Sequence, residues 1–203
     1  MWKLTVIKFI LGMLLINFLF IILPVIIFLW MFSFLFIKYP LSKYDLKELL
    51  SNPALSDYGF IEETRDIYNR CFILVGLCLA FNSVYLFLGN NISISELPFY
   101  LVSTISIMFV GLFPLTKDFK NIKLRIFHWT SAFLGLLLYP IILFFTICNE
   151  LSLSQIYFYL YIFLLVFILV IGFCFKKKII TELFFIILST VLSYVLNILI
   201  FFF

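Results

Sequence analysis

Charge is what this sequence has least of. Asp, Glu, Lys and Arg make up only 12% of its 203 residues, and histidine occurs once, at position 128. So few ionisable groups cannot cover the surface of a soluble domain of this length, and a single imidazole excludes a His-rich metal centre. Cysteine is sparse too. Cys71, Cys78, Cys148 and Cys174 contain no C-x-x-C pair, so neither a zinc site nor a disulfide framework is expected, and the four read as small apolar fillers. No self-similar period of about 20–50 residues is visible, which removes support for a solenoid or an inverted-repeat transporter.

What is present is hydrocarbon. Hydrophobic residues reach 66%, 29 of them Phe, and the mean hydropathy is +1.25. The apolar runs are long and unbroken rather than alternating, so they predict membrane-spanning helices and not a barrel. The fold class is all-α: a single integral membrane domain, 1–203, built as a six-helix bundle. The spans are expected at about 9–37, 68–88, 97–115, 126–147, 152–175 and 180–202, each near the roughly 20 residues that a bilayer requires. The first is read as a retained helix, not a cleaved signal peptide, because Ile37 runs into Lys38-Tyr39-Pro40 with no small-residue cleavage site. Pro24 is expected to kink it.

Basic residues orient the bundle. Lys38, Lys43, Lys47, Arg65, Arg70, Lys117, Lys120, Lys123, Arg125 and Lys176 to Lys178 fall on the face holding loops 1–2, 3–4 and 5–6, and the opposite face has only Lys3 and Lys8. The positive-inside rule puts those loops in the cytoplasm of a cell-membrane protein and both termini outside. The net charge of +4 comes from these juxtamembrane clusters, which suit anionic lipid head groups better than nucleic acid.

Polar residues inside the spans are expected to face the bundle, since lipid leaves them no partner. They include Asn17 in the first span and the stripe Ser189, Ser193 and Asn197 in the sixth. The second span has a small and polar face, Asn69, Gly76, Ala80 and Ser83, on which another helix should pack. The fourth carries His128, Ala132, Gly135 and Tyr139 on one side, with a kink expected at Pro140. Glu182 is spaced to pair with Lys178.

The longest polar segment is loop 1–2. Lys43 to Leu50 spaces Leu46, Leu49 and Leu50 as a short surface helix would, and Asn52-Pro53 ends it. Ser56-Asp57-Tyr58-Gly59 reads as a turn in which Gly59 is free to take positive φ. Glu62, Glu63 and Asp66 then complement the dipole of the second helix. Loop 2–3 contains a formal glycosylation sequon, Asn91-Ile92-Ser93, that hugs the membrane. Loop 3–4 follows Pro114 with Lys117, Asp118, Lys120, Lys123 and Arg125.

By helix count these groups share one membrane face. Asp57 beside His128 would orient the imidazole for acid–base work, and Ser56 offers a nucleophile. Asn69, Lys117 and Asp118 are the candidate binding residues, and Gly59 and Pro114 the structural ones. Each also has a plainer role: a turn cap for Asp57, a carbonyl bond for His128, a phosphate contact for the lysines. No metal and no cofactor are expected.

Leu55-Ser56-Asp57-Tyr58-Gly59, Tyr68-Asn69 entering a helix with Gly76, Gly111-Leu112-Phe113-Pro114, and His128 heading the next helix together resemble the prokaryotic family known as domain of unknown function 998. That family is similar to the eukaryotic Frag/DRAM/Sfk six-helix membrane proteins. The resemblance covers the first four helices by motif. It implies a polar cluster from loops 1–2 and 3–4 built on Ser56, Asp57, Gly59, Asn69, Pro114 and His128. Some eukaryotic members act in lipid remodelling of GPI anchors and others in autophagy, whereas the prokaryotic family has no established activity. Two features depart from the pattern: loop 3–4 is short and heavily basic here, and the basic loops put the motif face in the cytoplasm rather than the lumen.

The leading expectation is binding or remodelling of a lipid head group at this face, with membrane lipids as partners. The alternatives are a non-catalytic latch or partner-docking protein, and then a small-solute transporter, which the absence of ionisable groups near the midplane disfavours.

Overall fold

In the computed structural model, described residues are 11–12, 15, 18–40, 58–59, 61–89, 91–113, 122–175 and 178–202. Among them the regular structure is entirely helical. Helix α1 is Leu23–Lys38, entered through a π-helical segment at Phe18–Ile22. Helices α2 and α3 are Glu62–Leu88 and Leu97–Leu112. The next span is one continuous rod made of α4 (Ile122–Phe133), a π-helical segment (Leu134–Leu138) and α5 (Tyr139–Glu150). Helices α6 (Gln155–Cys174) and α7 (Lys178–Phe202) form the last hairpin. Four stretches, Glu62–Leu88, Lys123–Glu150, Gln155–Gly172 and Ile179–Leu199, are long and apolar enough to cross a membrane, and Leu23–Lys38 and Leu97–Leu112 are shorter apolar helices. The architecture is that of a helical membrane bundle.

The second span starts six residues before its apolar run does, at Glu62 rather than near 68. Glu62 and Glu63 sit in its first turn, where the helix dipole favours them. The buried Thr64 hydroxyl ties that turn to what precedes it, donating to the carbonyls of Tyr58 and Ile61. At the other membrane face, Ser93 and Glu96 form a reciprocal capping box ahead of α3. The Ser93 N–H and hydroxyl donate to Glu96 Oε2 at 2.7 and 2.8 Å, and the Glu96 N–H donates back to Ser93 Oγ at 3.3 Å. The serine of the sequon is therefore spent on starting a helix.

Both π-helical segments have the same local cause. Pro24 and Pro140 have no N–H for the carbonyl four residues back, and their rings press on it. Those carbonyls belong to Phe20 and Leu136, the middle residues of Phe18–Ile22 and Leu134–Leu138. Widening each turn to i→i+5 bonding moves the carbonyl clear of the ring. The kinks expected at the two prolines are thus taken up one turn upstream, as π turns.

Helix α3 is the centre of the packing and α2 is its main neighbour. Lipid offers helices no hydrophobic drive to associate, so close backbone approach at small residues has to supply the contact. A Cβ on Gly76 would fall 2.8 Å from the Met108 backbone nitrogen and 2.9 Å from the Thr104 carbonyl oxygen. On the other side of α3, a Cβ on Gly135 would fall 3.0 Å from the Ile107 nitrogen. The faces expected to point inward do so: Gly76 and Ser83 on α2, His128, Gly135 and Tyr139 on the fourth span, and Ser189, Ser193 and Asn197 on α7 are buried, while Asn69, Ala80 and Ala132 are half-buried. Asn17, the 43–50 segment and Lys176-Lys177 lie outside the described residues.

The buried polar groups join distant helices. Asn197 donates to Asn82 Oδ1 at 3.2 Å, and the Ser193 and Tyr139 hydroxyls lie 3.4 Å apart. Tyr100 and Thr146 share a hydrogen bond of 2.8 Å between α3 and α5. By contrast α6 buries little beyond Leu165 and Gly172 among its described residues and packs mainly on α5 and α7.

Candidate functional site

The helix α3 ends at Leu112; the Phe113 N–H caps the Phe109 carbonyl at 2.9 Å, and the carbonyls that follow it are left without intrahelical partners. Two side chains from neighbouring helices reach them. His128, one and a half turns into α4 and 1% exposed, has Nδ1 2.9 Å from the Phe113 carbonyl oxygen. Asn69 of α2, with its amide nitrogen turned toward α3, donates to the Gly111 carbonyl at 3.1 Å and to that of Arg65 at 3.2 Å. The two residues thus meet at one helix terminus, binding carbonyls two residues apart. Gly111 allows the approach: a Cβ there would lie 2.5 Å from the Asn69 carbonyl oxygen and 3.0 Å from Phe72 Cβ.

The hydrogen bond to Phe113 decides the chemistry of the imidazole. A carbonyl oxygen only accepts, so in the neutral ring the proton is on Nδ1 and Nε2 carries the free lone pair. Nε2 is buried and has no hydrogen-bond partner among the described residues. Phe109, Phe113 and Phe127 pack edge-on or tilted against one another at this end of α3, with ring centroids 5.0–5.7 Å apart. The arrangement can do one thing beyond holding α3: accept a proton or hydrogen bond at a desolvated nitrogen.

Of the first loop, Tyr58 and Gly59 are described. They form a short 3₁₀ turn packed against α2, with Tyr58 buried at 1% exposure. Arg65 Nε donates to the Gly59 carbonyl at 3.0 Å, and Thr64 holds the Tyr58 carbonyl. Gly59 does not have positive φ; among the described residues no glycine has. It is instead buried under the Arg65 side chain, and the expectation that it turns the chain through left-handed backbone is corrected. Ser56, Asp57, Pro114, Lys117 and Asp118 lie outside the described residues, so of the candidate site the structure brings together Asn69 and His128 and fixes Gly59 at the start of α2.

Cations gather at this end of the bundle. Arg65 lies in the first turn of α2 and Arg70 in its third, and Lys123 and Arg125 lie in the first turn of α4. Lys38 closes α1 with its ammonium 5.2 Å from the Phe34 ring centre and 5.6 Å from that of Tyr39, an anchoring typical of a helix end at an interface. Among the described residues no three His, Cys, Asp or Glu side chains are grouped to hold a metal.

Thr64 and Asn82 were not singled out by sequence reasoning. Asn82 had a readable signal, since an amide within an apolar span has to find a partner inside the bundle. Thr64 had none, because its role depends on where the first loop returns to α2.

No family model, curated protein or solved structure matches this chain.

Proposed function

We propose that this is a multi-pass cell-membrane protein that binds an anionic lipid head group at the end of the bundle where α3 terminates, with its basic loops in the cytoplasm. The observation that carries the reading is His128 Nε2: a desolvated acceptor on a ring whose other nitrogen is already committed, at the end of the bundle where the cations gather. A head-group hydroxyl supplies the missing donor, and the basic run from Lys117 to Arg125 holds the phosphate. The resemblance adds Ser56 and Asp57, which precede in sequence the turn that Thr64 and Arg65 fasten to α2. In its catalytic form the reading has His128 take a proton through Nε2, with Asp57 as its charged neighbour. The resemblance to the domain of unknown function 998 family belongs to the same proposal.

The test is lipid retention. Wild-type protein purified in mild detergent and titrated with phosphatidylglycerol in native mass spectrometry is expected to bind about tenfold more tightly than His128→Leu, a difference of about 1.4 kcal/mol. Lys117→Ala with Lys123→Ala should weaken binding further. Unchanged affinity in folded His128→Leu and Asp57→Asn proteins would sink the proposal.

A second reading rests on the same hydrogen bonds. His128 and Asn69 both satisfy α3 carbonyls, so the cluster could serve only as a latch between α2, α3 and α4. Under that reading His128→Leu lowers the melting temperature and leaves lipid binding in proportion to folded protein.

A further inference from the structure

A cleft of about 40 Å³ enters the bundle between α1 and α7. Its floor is Val75 and Leu79 of α2 and Ile107 of α3, with Phe28 of α1 beside them, and its mouth is formed by the half-buried Val25 and Ile186. Three hydroxyls line it, yet each is already spent on its own helix: Ser189 donates to the Phe185 carbonyl at 2.7 Å, Thr190 to that of Ile186 at 2.9 Å and Ser193 to that of Ser189 at 2.8 Å. The three hydroxyls have given away their protons and offer only acceptors, and the rest of the lining is apolar, so the space suits hydrocarbon better than water.

One π-helical segment lines this cleft and the other ends close to it: Gly135 and Leu136 belong to the second, and Pro24 and Val25 come two and three residues after the first. The widened turns that accommodate Pro24 and Pro140 therefore stand at or near the cleft's edge, on two different helices. π turns inside α-helices are frequent at functional sites. Here they hold open a space that straight helices would close, and an unfilled void of this size costs roughly 1 kcal/mol.

The mouth decides what fills it. Ile22, Ile26, Ile187 and Val191 around it are exposed and apolar, and Ile186 and Thr190 lie near the middle of a 25-residue helix. At that depth the surrounding phase is hydrocarbon. We infer that the cleft seats the end of a membrane lipid's acyl chain, entering sideways between α1 and α7. The volume takes one or two carbon units, so the cleft receives a chain end or a methyl branch and not a whole tail. Gly135 is seven residues from His128, about 10 Å along the rod, so one lipid can reach both. This deepens the head-group reading and rests on it for the identity of the ligand as a single lipid.

The probe is phosphatidylglycerol carrying a diazirine at the end of one acyl chain, photolysed on the full-length protein in nanodiscs, with labelled peptides mapped by mass spectrometry. Labelling at Phe28, Leu79 and Ile186 is expected at least fivefold above that at the exposed α6 residues Phe163 and Val170. Filling the cleft from two helices, by Ser189→Val or by Val75→Ile, should each cut cleft labelling at least threefold while α6 labelling stays constant. The inference is overturned if the cleft labels no more than α6, or if neither folded variant changes its labelling. A head-group diazirine separates the two readings. Cleft labelling that survives His128→Leu while head-group labelling disappears supports the chain site and removes the idea of one lipid held at both ends. Head-group labelling near His128 with none in the cleft overturns the chain site alone.

Discussion

Helices α3 and α6 are both apolar, yet their surroundings are opposite. α3 is 16 residues long, carries Ser103, Thr104, Ser106 and Gly111, and buries all four. α6 is 20 residues long, almost all Phe, Leu, Ile, Val and Tyr, and leaves most of its surface uncovered. In a water-soluble protein the greasier helix would be the core. Here the solvent is itself hydrocarbon, so bulk apolar surface gains nothing by being covered, and the helix with small and hydroxyl-bearing residues goes to the centre. The hydroxyls of Ser103 and Thr104 return to carbonyls of their own helix, Phe99 at 2.9 Å and Tyr100 at 3.0 Å, so they cost little in a dry interior.

Substitutions can break that contrast directly. The largest effect is expected from Gly76→Leu, where the new side chain meets the backbone of Met108 and Thr104 rather than a movable side chain. The loss should be about 3 kcal/mol or more, read as unfolding in a detergent thermal-shift assay. Next comes the Asn82–Asn197 pair. Asn82→Leu and Asn197→Leu should each cost about 1 kcal/mol, and the double variant should show a coupling of roughly 0.6–1.7 kcal/mol in a double-mutant cycle; additive losses would mean that the amides do not act on each other. His128→Leu strands the Phe113 carbonyl, which should cost about 1 kcal/mol, and His128→Gln, which keeps a donor, should recover part of it. Smallest of all, Phe163→Leu on the outer face of α6 should shift stability by less than about 0.5 kcal/mol. A large loss at Phe163 would show that α6 is covered by something other than lipid.

The sequence was readable wherever one physical rule dominated. Long apolar runs announced the apolar helices, of which four are long enough to cross a membrane and two are shorter, and the inward faces of α2, α4 and α7 followed from small and polar residues at helical spacing. Hydropathy marked only the apolar part of α2, from about 68, while Glu62 and Glu63 marked the helix start ahead of it, where the structure has it. Pro24 and Pro140 announced kinks, but not that each would be absorbed as a π turn, since that depends on neighbours tolerating a wider rod. Helix count put Asn69 and His128 at one membrane face. That both would serve the C-terminus of α3 was not legible, because it depends on where α3 stops relative to helices far away in sequence. The sequon was only a formal match, and its three residues do not reveal that Ser93 and Glu96 pair with each other.

The π turn at Leu134–Leu138 also sets a phase. Relative to an unbroken α-helix it holds one residue too many, which turns everything downstream by about 100°. Tyr139, Leu143, Thr146 and Ile147 are buried in the orientation that this slip dictates, while His128 above it keeps its own. Removing a single residue from 134–138 would straighten the rod and swing the Tyr100–Thr146 and Tyr139–Ser193 partners out of register, without altering any residue that makes those bonds. The fourth span therefore behaves as two faces geared together by one extra residue.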